Sequence, residues 1–191
     1  MYKKILVPLD GSQLAEAALP HASQLACDFG SGVVLLTVSP PIRRVLSVEN
    51  REGIDRPSLY WLPNWSPGSA IPLPSRDVVQ RDDDTTSYVD QQEDRIRADM
   101  SSYLRHAGES LTNCGAKIIP EVVFDDSAAD AIIDYAIANG VDLIVMSTHG
   151  RGGVGRWVLG SVAEKVLRGA NVPVLLIRCV GCSDNPLPTS V

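Results

Sequence analysis

The residues best suited to chemistry fall in one stretch near the C-terminal end, MSTHGRGGVGRWVLGS at positions 146–161. Gly150, Gly152, Gly153 and Gly155 crowd its middle, and Gly160-Ser161 closes it. Glycines let a ligand approach the backbone closely and leave amide donors uncovered. A helix starting at Gly160-Ser161 would aim unsatisfied N–H groups and the positive end of its dipole at the same spot, which favours phosphate. Ser161 can cap that helix or offer its hydroxyl to a phosphate oxygen. His149, Arg151 and Arg156 add basic groups within the loop. The chemistry expected here is the holding of an anion by backbone amides.

Two well-known phosphate loops do not fit. Gly150, Gly152 and Gly155 spell GxGxxG, but a dinucleotide fingerprint occupies the first βα turn and opens its helix directly, with an acidic group about 20 residues on. Here the next apolar run ends at Arg178, and the helix opens about ten residues after Gly150. A GxxxxGK[ST] loop is missing as well, because Leu159-Gly160-Ser161 carries no lysine.

The elements that must position this loop can be read from apolar patterning. Apolar runs rich in β-branched residues alternate with helical patterns, the order of a parallel sheet. The predicted strands are residues 4–8 (KILVP), 33–38 (VVLLTV), 116–124 (AKIIPEVVF), 142–147 (DLIVMS) and 172–178 (VPVLLIR). Pro120 demotes its strand towards an edge. The predicted helices are residues 12–27, 88–113, 128–139 and 161–168. Ser12 is the expected N-cap of the first, and Pro20 is expected to kink it. The fold class expected is α/β: a single doubly wound five-stranded parallel sheet with helices on both faces. Ligands of such sheets sit beyond the carboxyl ends of the strands. Three ends are therefore candidates: Pro8-Leu9-Asp10, Val38-Ser39, and Met146-Ser147 with its glycine loop.

Composition bounds the rest. A chain of 191 residues, 45% hydrophobic and 21% charged, suits one soluble domain with a large loop. That domain is expected over residues 1–180, interrupted by an irregular insertion at about 40–86, with a tail at 181–191. The insertion carries Pro40, Pro41, Pro63, Pro67, Pro72, Pro74 and the run Asp82-Asp83-Asp84 without any sustained period. Tyr60, Trp61, Leu62 and Trp65 leave open whether it is a tolerated loop or a lid or partner-contacting arm. A net charge of −6 argues against a general nucleic-acid partner. No apolar run approaches the roughly 20 residues of a membrane span, and the N-terminal run is too short for a signal sequence, so a cytoplasmic protein is expected. Cys27 and Cys114 read as plain thiols. Cys179 and Cys182 form a CxxC without the second pair, histidine spacing or following helix that zinc or redox chemistry would use.

A quieter spacing in the loop does fit a pattern. Ser147 precedes Gly150 by three positions, and nine residues separate Gly150 from Gly160-Ser161. This resembles the nucleotide-binding pattern of the universal stress protein family, G-x2-G-x9-G-[S/T]. KILVPLDGS, VVLLTV, DLIVMSTHGRGG and VLGSVAEKVLRGANVPVLLIR resemble that family in the same order. The likeness covers nearly all of the chain outside residues 40–86 and the tail. It implies an adenine nucleotide alpha hydrolase-like fold and a mononucleotide site. Pro8, Leu9 and Asp10 match its purine and ribose side, and Val38 matches the position whose backbone meets adenine. Met146, Gly150, Gly160, Ser161 and Val162 match ribose and phosphate contacts, with Ser147, His149 and Arg151 in the same loop. The implied ligand is ATP, ADP or AMP, with or without magnesium, for which Asp10 is the candidate contact. A homodimer formed through the last strand, from Val174 to Ile177, is implied as well, and an apolar edge strand suits that role. Ser147 departs from the pattern, which has glycine there. Its Cβ and hydroxyl either narrow the site or supply a hydrogen bond, and serine resists positive φ.

Three functions follow. The first is an ATP-binding regulatory protein of the stress response. The second is a member of the same fold that binds no nucleotide and acts through protein–protein contacts. The third is a slow magnesium-dependent ATP hydrolase, for which the chain offers no P-loop lysine, no carboxylate pair and no nucleophile–base pair near the loop. Plain readings stand beside the site. Asp10 also suits a turn with Gly11-Ser12, Val38 and Met146 suit a core, and His149 suits an exposed loop.

Overall fold

Strand β1 (Lys4–Pro8) has Ile5, Leu6 and Val7 buried on both of its faces, which is what the centre of a parallel sheet demands. The computed structural model describes residues 2–42, 82–109, 111, 115–149 and 160–179. Around β1 it builds a five-stranded sheet in the order β3-β2-β1-β4-β5, from β2 (Gly32–Ser39), β3 (Ile118–Phe124), β4 (Leu143–His149) and β5 (Val174–Cys179). Every pairing is parallel, with Leu6 opposite Val34 on one side and Ile144 on the other. The expected fold class is the one observed. Pro120 does lie on an edge strand, opposite Leu35, where its missing N–H costs no ladder bond.

Strand alternation sends neighbouring side chains to opposite layers. Ile5, Val7, Val33, Leu35, Leu143 and Val145 pack beneath α2 (Leu19–Phe29) and α3 (Asp82–Glu109), against Ala22, Ala26, Met100 and Leu104. Leu6, Val34, Leu36, Ile144 and Met146 pack beneath α4 (Ala128–Ala138) and α5 (Ser161–Gly169), against Ile132, Ala136, Ala163 and Val166. Each fully buried Leu or Ile contributes about 1.5–3 kcal/mol relative to exposure, so both layers hold their helices against the sheet.

Several boundaries differ from expectation, three of them by enough to change the reading. The single kinked helix over residues 12–27 is two helices, α1 (Gln13–Glu16) and α2. Ser12 caps α1 as expected, while Pro20 falls in the first turn of α2, where a missing N–H breaks no helical bond. The chain leaves α2 through Gly30 at φ +65°, a left-handed cap that glycine adopts freely. Helix α3 starts at Asp82, so Asp82-Asp83-Asp84 belong to its first turn and not to an insertion. β4 runs on to His149, past the expected end at Ser147. Residues 43–81 of the expected insertion and the tail lie outside the described residues, while Ile42 at its start is buried in the core beneath α3. Cys27 is held in a disulfide rather than being a plain thiol.

Candidate functional site

β1 and β4 lie side by side, but β2 and β3 follow on one flank and β5 on the other. At such a switch the C-terminal strand ends open a crevice. A cavity of about 230 Å³ occupies it, lined by the ends of β1, β2 and β4 and by the first turns of α1, α4 and α5. The three strand ends singled out in the sequence thus meet around one space. Pro8, Leu9, Asp10, Val38, Met146, Ser147, Gly160, Ser161 and Val162 all line it. His149 ends β4; its side chain, Gly150 and Arg151 lie outside the described residues.

The Asp10 corner is built by local hydrogen bonds. Gly11 turns the chain at φ +80°. Asp10 Oδ1 then accepts the Ser12 N–H at 3.0 Å and the Ser12 hydroxyl at 2.6 Å. Ser12 Oγ in turn accepts the Ala15 N–H at 3.1 Å and starts α1. Asp10 is therefore a turn former, as its plain reading had it, and its exposed carboxylate is held at the rim of the cavity. Leu9 N–H donates to the Leu36 carbonyl at 2.8 Å, and the Thr37 hydroxyl donates to the Leu9 carbonyl at 3.0 Å. From behind, the Tyr103 hydroxyl of α3 donates to Glu16 Oε1 at 3.0 Å. Burial pushes the Glu16 carboxyl up, although the Tyr103 bond opposes that, and burial beside Glu16 pushes the Tyr103 phenol above its usual range.

The opposite rim is made by α4 and α5. Ser127 caps α4, and Lys165 of α5 donates to Ser127 Oγ at 3.1 Å and to Asp130 Oδ2 at 2.6 Å. The hydrogen bonds from Lys165 and Ser127 hold the Asp130 carboxyl below its usual range. This pair is exposed and worth little energy, but it ties together the two helix starts that flank the cavity. Gly160 is the N-cap of α5 and provides no side-chain cap, so Ser161 is the first helical residue and does not cap the helix. The first-turn amides therefore keep their capacity for an outside acceptor.

Ser147 sits inside β4, opposite Ile177 of β5. Extended strand needs no positive φ, so serine brings no backbone strain there, and only its Cβ and hydroxyl in the wall distinguish it from glycine. Sequence reasoning missed Leu36, Ala128, Ile132 and Thr148 among the lining residues. The i, i+4 spacing of Ala128 and Ile132, and the shared parity of Met146 and Thr148, were the available signals. The resulting cavity has an apolar floor, an acidic group at one rim and a helix start at another. Asp10 is the one carboxylate among the lining residues. Among the described residues no group of three or more His, Cys, Asp or Glu could hold a metal ion, and no helix is long and apolar enough to cross a membrane.

Comparison with known proteins agrees with this architecture. The sequence profile of the universal stress protein family matches residues 1–59 and 73–178. Universal stress protein MJ0577 of Methanocaldococcus jannaschii is 25% identical over 178 residues, covering 93% of this chain and 96% of the relative. Its solved structure superposes with a TM-score of 0.63 over 95% of this chain and 99% of that one. A universal stress protein solved in complex with cAMP is 18% identical, with a TM-score of 0.54 over 94% of this chain and 98% of that one. Another from Archaeoglobus fulgidus, in complex with dAMP, is 20% identical, with a TM-score of 0.50 over 92% and 97%. The profile match spans most of the chain and reaches all five described strands, and on that ground the protein belongs to the universal stress protein family.

Proposed function

We propose that the cleft binds ATP and that the chain is a regulatory protein of the stress response in the cytoplasm, acting as a homodimer. The observation that carries the nucleotide reading is the convergence of an apolar floor, the Asp10 rim and the open α5 N-terminus on one cavity at the β1/β4 switch. Adenine is an apolar plane with polar edges, and it suits Leu36, Val38, Ile132 and Met146, with the Val38 backbone reading its edge. The Asp10 carboxylate suits ribose hydroxyl donors. Phosphates suit the amides and hydroxyl at Gly160-Ser161, with His149, Gly150 and Arg151 as further proposed contacts. The cAMP and dAMP complexes of other family members support an adenine nucleotide as the ligand class. With one carboxylate at the site, magnesium would be held chiefly by the phosphates, and hydrolysis would be slow at most. β5 is an edge strand with Leu175 37% exposed, which supports pairing with a second copy. We also take residues 1–180 as one domain around an insertion, followed by the tail.

Titration calorimetry of the full chain with ATP and magnesium tests this. Saturable one-to-one binding, weakened in Asp10→Ala, is expected. No heat at millimolar ATP would overturn the nucleotide reading in favour of action through protein contacts. Ser147→Gly measures what the serine does: tighter binding would mean that its side chain obstructs the ligand.

A further inference from the structure

Polar side chains buried without a partner are rare, because each gives up its bonds to water and gains none in return. Among the described residues, one side-chain atom is in that state: Thr148 Oγ1. Thr148 is 8% exposed, and it lines the cleft. Its backbone is paired within the sheet, opposite Arg178 of β5, so the unmet need belongs to the hydroxyl. Position gives that hydroxyl a direction. Ile144 and Met146 belong to the layer beneath α4 and α5, and Thr148 shares their parity along β4. On that side the first turn of α5 opens into the same cleft, with Gly160 and Ser161 in its wall and no side-chain cap on its amides.

We infer that the Thr148 hydroxyl is a further ligand-binding group, donating its proton to a phosphate oxygen held at the N-terminus of α5. This rests on the nucleotide reading of the cleft. A threonine hydroxyl carries one donor, and a phosphate oxygen is the strong acceptor that a helix start gathers. The hydroxyl costs the empty protein stability and repays it when the ligand arrives. Its removal should therefore move stability and affinity in opposite directions. A hydroxyl with only a structural role would lower the melting temperature when removed.

The test uses the full chain as wild type, Thr148→Val and Thr148→Ser. Valine keeps the shape and suits a strand. For Thr148→Val we expect a higher melting temperature without ligand and ATP binding weaker by roughly tenfold or more, the loss for a hydrogen bond to a charged group. Thr148→Ser should restore ATP affinity to within about threefold of wild type, since the donor is kept. Adenosine, which lacks phosphate, should bind wild type and Thr148→Val alike. Equal ATP affinity in wild type and Thr148→Val would overturn the inference while leaving the nucleotide reading intact. An equal loss for adenosine and ATP would overturn the phosphate assignment. Absence of ATP binding by wild type would instead bring down the nucleotide reading and this inference together.

Discussion

Placing a fixed negative charge at the start of α5 separates the empty protein from its complex. In Ser161→Asp the new carboxylate occupies the first helical position, where the dipole favours it by about 0.3–1 kcal/mol. Glu164 lies three residues on in the same turn, and like charges at that spacing cost about 0.2–0.5 kcal/mol. Arg168 already draws Glu164 away through a 2.7 Å bond, so the net change in the empty protein should be small. The side chain at 161 is exposed, and no packing is lost. A bound phosphate is another matter. Two unit charges about 5 Å apart repel by about 0.8 kcal/mol in water and about 3 kcal/mol at an effective dielectric of 20. That corresponds to ATP binding weaker by roughly 4- to 200-fold. Thermal unfolding without ligand and calorimetry with ATP and adenosine read both sides of the argument. An unchanged melting temperature, weakened ATP and unaffected adenosine are expected. Undiminished ATP affinity in this variant would refute the placement of phosphate at α5.

Other consequences follow from the packing and the titrating groups. Met100 is fully buried between α3 and the sheet, so Met100→Ala should cost about 2–5 kcal/mol in urea unfolding. Asp142 Oδ2 accepts the Lys3 and Lys4 N–H groups at 2.8 and 2.9 Å, and these bonds hold its carboxyl below the usual range. A depressed folded value means stability that is present at neutral pH and lost as pH falls through that value. Asp142→Asn should therefore unfold more easily than wild type at pH 7 and match it in strong acid. Burial raises Glu16, the reverse case: stability is gained as pH falls through its folded value and lost as pH rises. Wild type should thus gain on Glu16→Gln upon acidification, as followed by urea midpoints across pH. The proposed homodimer predicts a dimer for wild type and a monomer for Leu175→Lys on the edge strand in light scattering, and a monomeric wild type would overturn it.

The central strands β1, β2 and β4 were legible because each is a short apolar run, and burial on both faces leaves little else for such a run to become; the edge strands β3 and β5 were legible from their β-branched content and their place between helical patterns. Helix ends were harder to read. Pro20 looks the same in sequence whether it kinks a long helix or opens a new one, and only packing of Leu19, Ala22 and Ala26 on the sheet settles it. Asp82-Asp83-Asp84 look like a solvated loop until the helix they begin is seen. At the cleft, the strand ends were readable from topology and spacing, and so were Gly160 and Ser161. The floor was less so, because Leu36 and Ile132 differ from other core residues only in standing next to the crevice. Thr148 was passed over for a related reason: burial and the lack of a partner are properties of the fold and leave no mark in composition or period.

A crystal structure of the chain grown with ATP tests the central claim most directly. The account predicts adenine against Val38 and Ile132, ribose beside Asp10 and phosphates at Gly160-Ser161. Crystals grown at saturating ATP that leave this cleft empty, or that hold the nucleotide elsewhere, would contradict it.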